Sequence, residues 1–597
     1  MKNTLSLSIT IILVYILQET DSQACDAEAK YRTIDGSCNN LNNQGIGKSN
    51  TLFERCVDRN GNKIFDYADG SGLPRAAKSG GKLPNARLVS QAIMNQRLGP
   101  PIQSDRTRSA QVVSYGQFLS HEVMETEIPP FPENDCCEKP QMDNIDFCFP
   151  LEIPSNDNVL PPGCLNFVRA TPRMDADGVR QQINLATPFV DASTVYGSTQ
   201  ELNDILRVPY SYLLKTDNNL LPTPPGVNTC FDPVIPNRCP VAGDRRVSES
   251  PMLSVQHSVW LREHNRIATE LHILNPHWNQ ETVFQEARKI IIAMLQQITY
   301  NDFLPTILGQ TTMERFKLFS RDVNEGVFDD SYDPKVNPQI LDSVNVAAHR
   351  YGHSQLTNNQ NFADEGCNTV TINYLKDTFE SPRLVQQNNG ANIPFLARHL
   401  ACSASNKLDN FIADGMRNFL LRLPEAPGSD IVARNIQRGR EQGVSGYNIW
   451  RKICGLEPIK SFNKFGEFGN ALKELYNEPD DVDLFIGAML EKDPGFNVGP
   501  TFQCLLGMQY QLIKSGDRFW YERPCEIFSF TEAQLKSIKK NTRISKIFCR
   551  NLGIHRIQEN MFFLPNRKGN NRILCDEIPD IDLSLWRSAD VDRRENR

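Results

Sequence analysis

The 597-residue chain has no Cys-x-x-Cys pair and no Asn-x-Ser/Thr tripeptide, and past its first residues it has no long apolar run. The first absence excludes a zinc knuckle or ribbon. The second removes the acceptor for N-linked sugar. The third leaves no candidate for a membrane-spanning helix. An excess of basic charge is also missing: Lys and Arg number 64 against 71 Asp and Glu, a formal net charge of -7. That balance gives no electrostatic reason to expect nucleic acid or an anionic membrane surface as a partner. Internal repeats, long linkers and convincing strand alternation are scarce or absent too. With 40% hydrophobic and 23% charged residues, the chain is too apolar to be disordered throughout. Its periodicity places it in the mainly α class, with short strands at most.

What is present begins with an export signal. Lys2 supplies a positive start, Leu5 to Leu17 is uncharged, and Ser22-Gln23-Ala24 offers small residues for cleavage. A run this short is a poor membrane span, so residues 1–24 are predicted to be a secretory signal peptide and the protein to be extracellular. The 16 cysteines fit that route. An even number in an oxidising compartment points to disulfides, although spacing alone does not pair them. The folded domain is predicted over 25–586, followed by a polar tail at 587–597.

The clearest helix is Pro251 to Leu274. Ser250 suits the N-cap and Pro251 the first helical position, where its missing N–H costs nothing. Leu253, Trp260, Ile267, Leu271 and Leu274 recur at helical spacing, and Asn275-Pro276 ends the run. Similar patterns predict helices around 85–97, 108–122, 281–298, 338–353, 408–422, 466–476 and 500–514.

Four segments carry chemistry. In Tyr115-Gly116-Gln117-Phe118-Leu119-Ser120-His121-Glu122, Gln117 and His121 stand at i and i+4, on one helix face. Alone, such a His is more often a packed core residue than a catalyst. His349-Arg350-Tyr351-Gly352-His353 presents two His at the same spacing. They can hold zinc, or one can be the axial ligand of haem iron with Arg350 facing a propionate, or the pair can lie on the surface. Thr187-Pro188-Phe189-Val190-Asp191-Ala192-Ser193 is rich in hard oxygen donors that suit Ca²⁺ or a plain turn. Gly243-Asp244-Arg245-Arg246-Val247-Ser248-Glu249-Ser250 sets two Arg and a Glu before the long helix.

In this order and at these separations the four segments resemble the animal haem peroxidase family. Trp260-Leu261-Arg262-Glu263-His264-Asn265-Arg266, Asn435-Ile436-Gln437-Arg438, Gly446-Tyr447-Asn448-Ile449-Trp450-Arg451 and Gly516-Asp517-Arg518-Phe519-Trp520 match in register. The resemblance covers nearly the whole chain after residue 24. It implies a large, single-domain helical fold and the following roles. His121 is the distal base that takes a proton from hydrogen peroxide and returns it to the leaving oxygen. Arg246 stabilises the negative charge of O–O cleavage. Gln117 holds distal water. His353 is the proximal iron ligand and Asn435 the acceptor that fixes its ring. Arg350 and Arg438 pair with the haem propionates.

The resemblance further implies Ca²⁺ held by Thr187, the carbonyl of Phe189, Asp191, Ser193 and Glu122, where the family usually has Asp. Ser120 departs from the family's ester-forming Asp and cannot make that bond. Glu249 matches the second esterifying carboxylate, so haem b is expected with at most one ester. Ser250 replaces a sulfonium-forming Met. Disulfides Cys25–Cys38, Cys136–Cys148, Cys137–Cys164, Cys230–Cys239, Cys454–Cys504 and Cys549–Cys575 also follow from the resemblance, which assigns no partner to Cys56, Cys367, Cys402 and Cys525. The implied activity is a secreted peroxidase that reduces hydrogen peroxide and oxidises a halide, thiocyanate, phenol or tyrosyl donor. The alternative is a peroxinectin-like adhesion or matrix protein with weak or lost turnover. The missing Arg-Gly-Asp and Lys-Gly-Asp tripeptides, and the retained His121, Arg246, His353 and Asn435, weigh against it. A zinc hydrolase built on His349 and His353 has neither a third ligand nor a general base.

Overall fold

The computed structural model describes residues 25–588, except 59, 96–101, 130–135, 139–143, 228, 231–237, 321–324, 423–427, 494, 496–497 and 566. The expected signal peptide and nearly all of the expected tail lie outside the described residues. The architecture is mainly helical, and the strands form one three-stranded antiparallel sheet and four two-stranded ones among the described residues. The larger sheet orders Thr51–Leu52, Arg180–Asn184 and Pro172–Met174. Buried apolar side chains from Phe53 to Trp586 make one continuous core.

The helix Pro251–Leu274 forms as its ends dictate. The Ser250 hydroxyl accepts from the Leu253 N–H at 3.2 Å, and the Asn275 N–H closes on the Leu271 carbonyl at 2.9 Å. A cap of this kind contributes about 1 kcal/mol. Leu253, Val255, Trp260, Ile267 and Leu271 are sealed from solvent, so this helix runs through the core rather than over it. It packs against Gln280–Ile298 on one side and Gln111–Val123 on another. The predicted stretches 85–97, 281–298, 466–476 and 500–514 hold the helices Ala86–Ile93, Gln280–Ile298, Gly469–Leu475 and Pro500–Gly516.

Two predicted helices differ. Over 338–353 the α-helix Asp342–Val346 breaks at Ala347 (φ -136°) and resumes as a 3₁₀ helix, Ala348–Gln355. At three residues per turn, positions i and i+3 eclipse and i+4 swings away. Arg350 and His353 therefore share a face, whereas His349 and His353 diverge. Over 408–422 only the turn Asp414–Arg417 is helical. There the backbone bonds sideways: Ile412 N–H to the Met94 carbonyl, Gly415 N–H to Asn358, and Leu420 antiparallel to Ser429.

The six disulfides implied by the resemblance are all formed, and a seventh joins Cys367 to Cys402. Cys56 is buried and Cys525 exposed, both as free thiols.

Candidate active site

A cavity of about 370 Å³ lies between the helix Gln111–Val123 and the 3₁₀ helix Ala348–Gln355. Gln117, Ser120 and His121 face it from the first, joined by Arg246 and Glu249 from the loop before the long helix; Arg350 and His353 face it from the second, with Arg438 at the side. Residues more than 200 positions apart thus meet because helix 111–123 is clamped between the long helix and the 3₁₀ segment.

On the first wall, His121 is buried, with Nδ1 3.5 Å from an Asp244 oxygen and Nε2 3.6 Å from Glu249. Burial, then the Arg246 guanidinium, holds the imidazole well below its usual range, so it is neutral and able to accept a proton. Asp244 fixes Arg246 from two residues away, accepting its backbone N–H at 2.9 Å and its Nε–H at 2.9 Å. Arg246 Nη2 also donates to the Met124 carbonyl at 3.0 Å. Burial acts to raise Asp244, but the Arg246 charge and hydrogen bond together with His121 and His257 outweigh it and hold the carboxylate well below the usual range. Gln117 Nε2 donates to Glu249 at 3.0 Å, and a third of the Glu249 side chain opens onto the cavity.

On the second wall, Asn435 lies on His353 Nδ1 at 3.0 Å, but through its amide nitrogen, because Arg350 Nη1 claims the amide oxygen at 2.8 Å. The amide oxygen that the expected acceptor role needs is here on Arg350. In this orientation Nδ1 accepts and the ring proton sits on Nε2. Were His353 to hold iron through Nε2, its Nδ1–H would call for the Asn435 oxygen, with the amide turned and Arg350 kept by its Nε bond to the Asn345 carbonyl at 2.9 Å. Burial, then Arg350, lowers His353 to about 3, which keeps it a neutral imidazole. Arg350 itself is pushed down to about 9 by burial and then by the Arg438 and Arg246 charges. Arg438 donates to Glu441 at 2.7 Å and so lines the cavity as one half of an ion pair.

Behind the first wall, the buried Glu122 accepts from the backbone N–H groups of Ala192, Ser193 (3.2 Å) and Thr194 (2.9 Å) and from the Thr194 hydroxyl. Ser193 Oγ returns a bond to the Glu122 carbonyl at 2.7 Å. Thr187 Oγ1 donates to both Asp191 oxygens at 2.9 Å. The five expected calcium residues, Phe189 included, are all buried. No cluster of three or more His, Cys, Asp or Glu suited to a metal occurs among the described residues. Gly243 meets this loop edge-on: a Cβ there would lie 2.1 Å from the Ser193 carbonyl oxygen.

A family model described as animal haem peroxidase matches residues 31–562. The chain belongs to the animal haem peroxidase family. It is 34% identical to mouse (Mus musculus) myeloperoxidase, over 95% of this chain and 80% of that one. It is 36% identical to a peroxidase-like protein of Margaritifera margaritifera, over 89% and 70%. Among solved structures, peroxidase A of Dictyostelium discoideum superposes with a TM-score of 0.75 at 26% identity, covering 89% of this chain and 99% of that one. An Arabidopsis thaliana fatty acid alpha-dioxygenase, at a TM-score of 0.69 and 17% identity over 88% of this chain and 81% of that one, shares the fold. Family membership makes the protein a haem-peroxidase oxidoreductase and implies haem.

The haem peroxidase cavity fits that group on its own terms. Arg350 is a half-buried cation with no salt-bridge carboxylate among the described residues, beside a second and a third guanidinium, and so favours an anionic ligand. Neutral imidazoles face the cavity from both walls. The loop 187–193 offers buried hard oxygens, and its Asp191 and the adjoining helix's Glu122, each raised first by burial, would gain from a cation. Glu122, however, already spends both oxygens on the loop. Two residues carry more than the sequence disclosed. Asp244 stood in a quoted motif, two residues before Arg246, and an Asx turn was its available signal. Tyr510 donates or accepts with His349 Nε2 at 2.9 Å from 161 positions away, and nothing in the sequence marked it.

Proposed function

We propose that this is a secreted peroxidase that reduces hydrogen peroxide and oxidises a halide, thiocyanate, phenol or tyrosyl donor. The observation that carries this reading is the pair of neutral histidines, His121 and His353, facing one cavity from opposite walls with Arg246 and Arg350 beside them. His353 and Arg350 would hold haem b, with Arg438 completing the anionic recognition. When bound, haem supplies the redox-active iron at which peroxide is cleaved. His121 takes the proton from the near peroxide oxygen and passes it to the departing one, general acid–base work worth roughly 10²–10⁴-fold. Arg246, aimed by Asp244, stabilises negative charge on the departing oxygen in a water-poor site. Gln117 and Glu249 hold a hydrogen-bonded edge beside that path.

Thr187, the Phe189 carbonyl, Asp191 and Ser193 would bind Ca²⁺, with Glu122 tying the same loop to the His121 helix directly. Ser120 has no carboxylate, so at most one haem ester forms, through Glu249. Its test is mass spectrometry of haem peptides after peroxide treatment, where two esters, or a link elsewhere, refute it. Export is supported by the apolar N-terminal run and by seven disulfides. The test of the whole reading is a visible spectrum of the secreted protein during peroxide titration. A haem band that changes with peroxide and returns on adding a donor supports it. A protein that binds haem yet leaves peroxide unreduced refutes it.

A further inference from the structure

His349 is the one residue of the two-histidine motif that the peroxidase reading leaves without a task. It sits on the 3₁₀ helix four residues before His353 and lines the same cavity. Its Nε2 lies 2.9 Å from Tyr510 Oη, with ring centroids 5.7 Å apart. Tyr510 is fully buried in the helix Pro500–Gly516. Burial holds the imidazole neutral, pushed down to about 3, and holds the phenol protonated. A buried tyrosine cannot lose an electron cheaply while keeping its proton, because a cationic radical would be left in a low-dielectric site. A neutral imidazole in hydrogen-bond contact removes that obstacle.

The aromatic contacts continue outward. Tyr300, in the π-helical turn Thr299–Phe303, has its ring 5.9 Å from Tyr510 and donates its hydroxyl to the Tyr510 carbonyl at 2.7 Å. Trp520 lies 4.8 Å further on, ring to ring. Its indole N–H donates to the buried Glu522 carboxylate at 3.1 Å, which is itself paired with Lys539 at 2.9 Å. Lys514 stands 5.6 Å over that ring but is paired with Asp329 at 2.9 Å. Trp520 lines a second, small pocket with Phe519, Phe528 and Phe530, remote in sequence from every residue of the main cavity's first wall. Steps of this length between rings are well suited to electron tunnelling.

We propose that Tyr510 is a redox-active tyrosine whose proton is held by His349, and that Tyr300 and Trp520 connect it to phenolic donors that approach the second pocket from outside. The proposal rests on the peroxidase reading. Hydrogen peroxide is the oxidant and takes two electrons and two protons to give two waters. One electron leaves Tyr510, its Oη proton moves to His349 Nε2, and a neutral phenoxyl radical and an imidazolium result. A phenolic donor at the second pocket then loses one electron by way of Trp520 and Tyr300, releasing its proton to solvent. The Tyr510 proton returns from His349, and two such turns deliver the two electrons that peroxide takes, the two donor protons released to solvent balancing the two it consumes.

The experiment mixes haem-loaded protein with hydrogen peroxide, without donor, freezes it, and reads it by electron paramagnetic resonance. A tyrosyl signal is expected in the wild type, lost in Tyr510→Phe and suppressed in His349→Phe. In a companion assay, Tyr510→Phe and Trp520→Phe should lose oxidation of the tyrosines of casein while keeping oxidation of iodide. An unchanged tyrosyl signal in Tyr510→Phe overturns the proposal, as does undiminished casein oxidation in both variants. Iodide oxidation in the same samples reports on the peroxidase reading separately, so normal iodide turnover with no Tyr510-dependent signal refutes the relay alone.

Discussion

Asp244 governs the first wall through short bonds to Arg246 and a 3.5 Å approach to His121 Nδ1. Removing His121 as Ala should slow the reaction with peroxide by at least roughly 10²-fold. Asp244→Asn should slow it too, because the Arg246 charge loses its aim while the imidazole stays in place. Stopped-flow rates that match wild type in both variants would refute the assigned chemistry. A second residue-scale expectation concerns Glu380, beside Phe379 at the cavity wall, whose carboxyl is raised from 4.5 to about 8 by burial and then by Glu249. The folded chain holds this proton more tightly than the unfolded chain. The resulting stability is therefore full below about pH 4.5 and is lost as pH rises through about 8. Glu380→Gln should flatten that decline in thermal unfolding midpoints measured across the window; a slope identical to wild type contradicts the assignment.

Among the elements, those whose signals are local were readable in advance. Pro251–Leu274 matches its predicted ends because cap, first-turn proline and terminating Asn-Pro all act within a few residues. The segment 338–353 carries a helical pattern too, but the change to 3₁₀ at Ala347 is set by packing against the helices Gln111–Val123 and Pro500–Gly516. That change decides that His353 joins Arg350 and Asn435 while His349 turns to Tyr510, which spacing alone did not show. The site residues in short motifs were legible by resemblance. Asp244's pivot, the Asn435 orientation and Tyr510 were not, since each depends on a partner distant in sequence or on a donor competing for one oxygen. The element-scale prediction concerns the loop that supports the His121 helix. Gly243→Ala forces a Cβ against the Ser193 backbone and should cost about 1–3 kcal/mol of stability. It should also slow peroxide reduction, whereas an equally destabilising change at Gly469, where a Cβ would meet the Phe462 carbonyl oxygen, should not. Denaturant melts paired with stopped-flow rates separate the two; equal kinetic effects would show that the loop gives His121 no specific support.

The whole molecule is closed by contacts between chain regions far apart. Arg32 grips Asp517 through two bonds of 2.8 and 2.6 Å, and Asn39 adds a third at 2.9 Å. Seven disulfides fasten the loops, each worth about 2–4 kcal/mol in general. The bond Cys367–Cys402 had no forecast because it joins the hairpin after the 3₁₀ helix to the end of the helix Ile393–Cys402, a proximity only the fold creates. It leaves Cys56, raised to about 12 by burial and nearby Asp342, and the exposed Cys525 as thiols. Thiol titration should therefore count one reactive group in the folded protein and a second only on denaturation; three or more after denaturation would mean that a disulfide is absent. The account as a whole stands on which histidine takes the iron, and the direct measurement is the haem-to-protein absorbance ratio of purified His353→Ala and His349→Ala. The account predicts that His353→Ala loses haem or its normal spectrum while His349→Ala retains both. Haem lost from His349→Ala and kept with an unaltered spectrum in His353→Ala would contradict it.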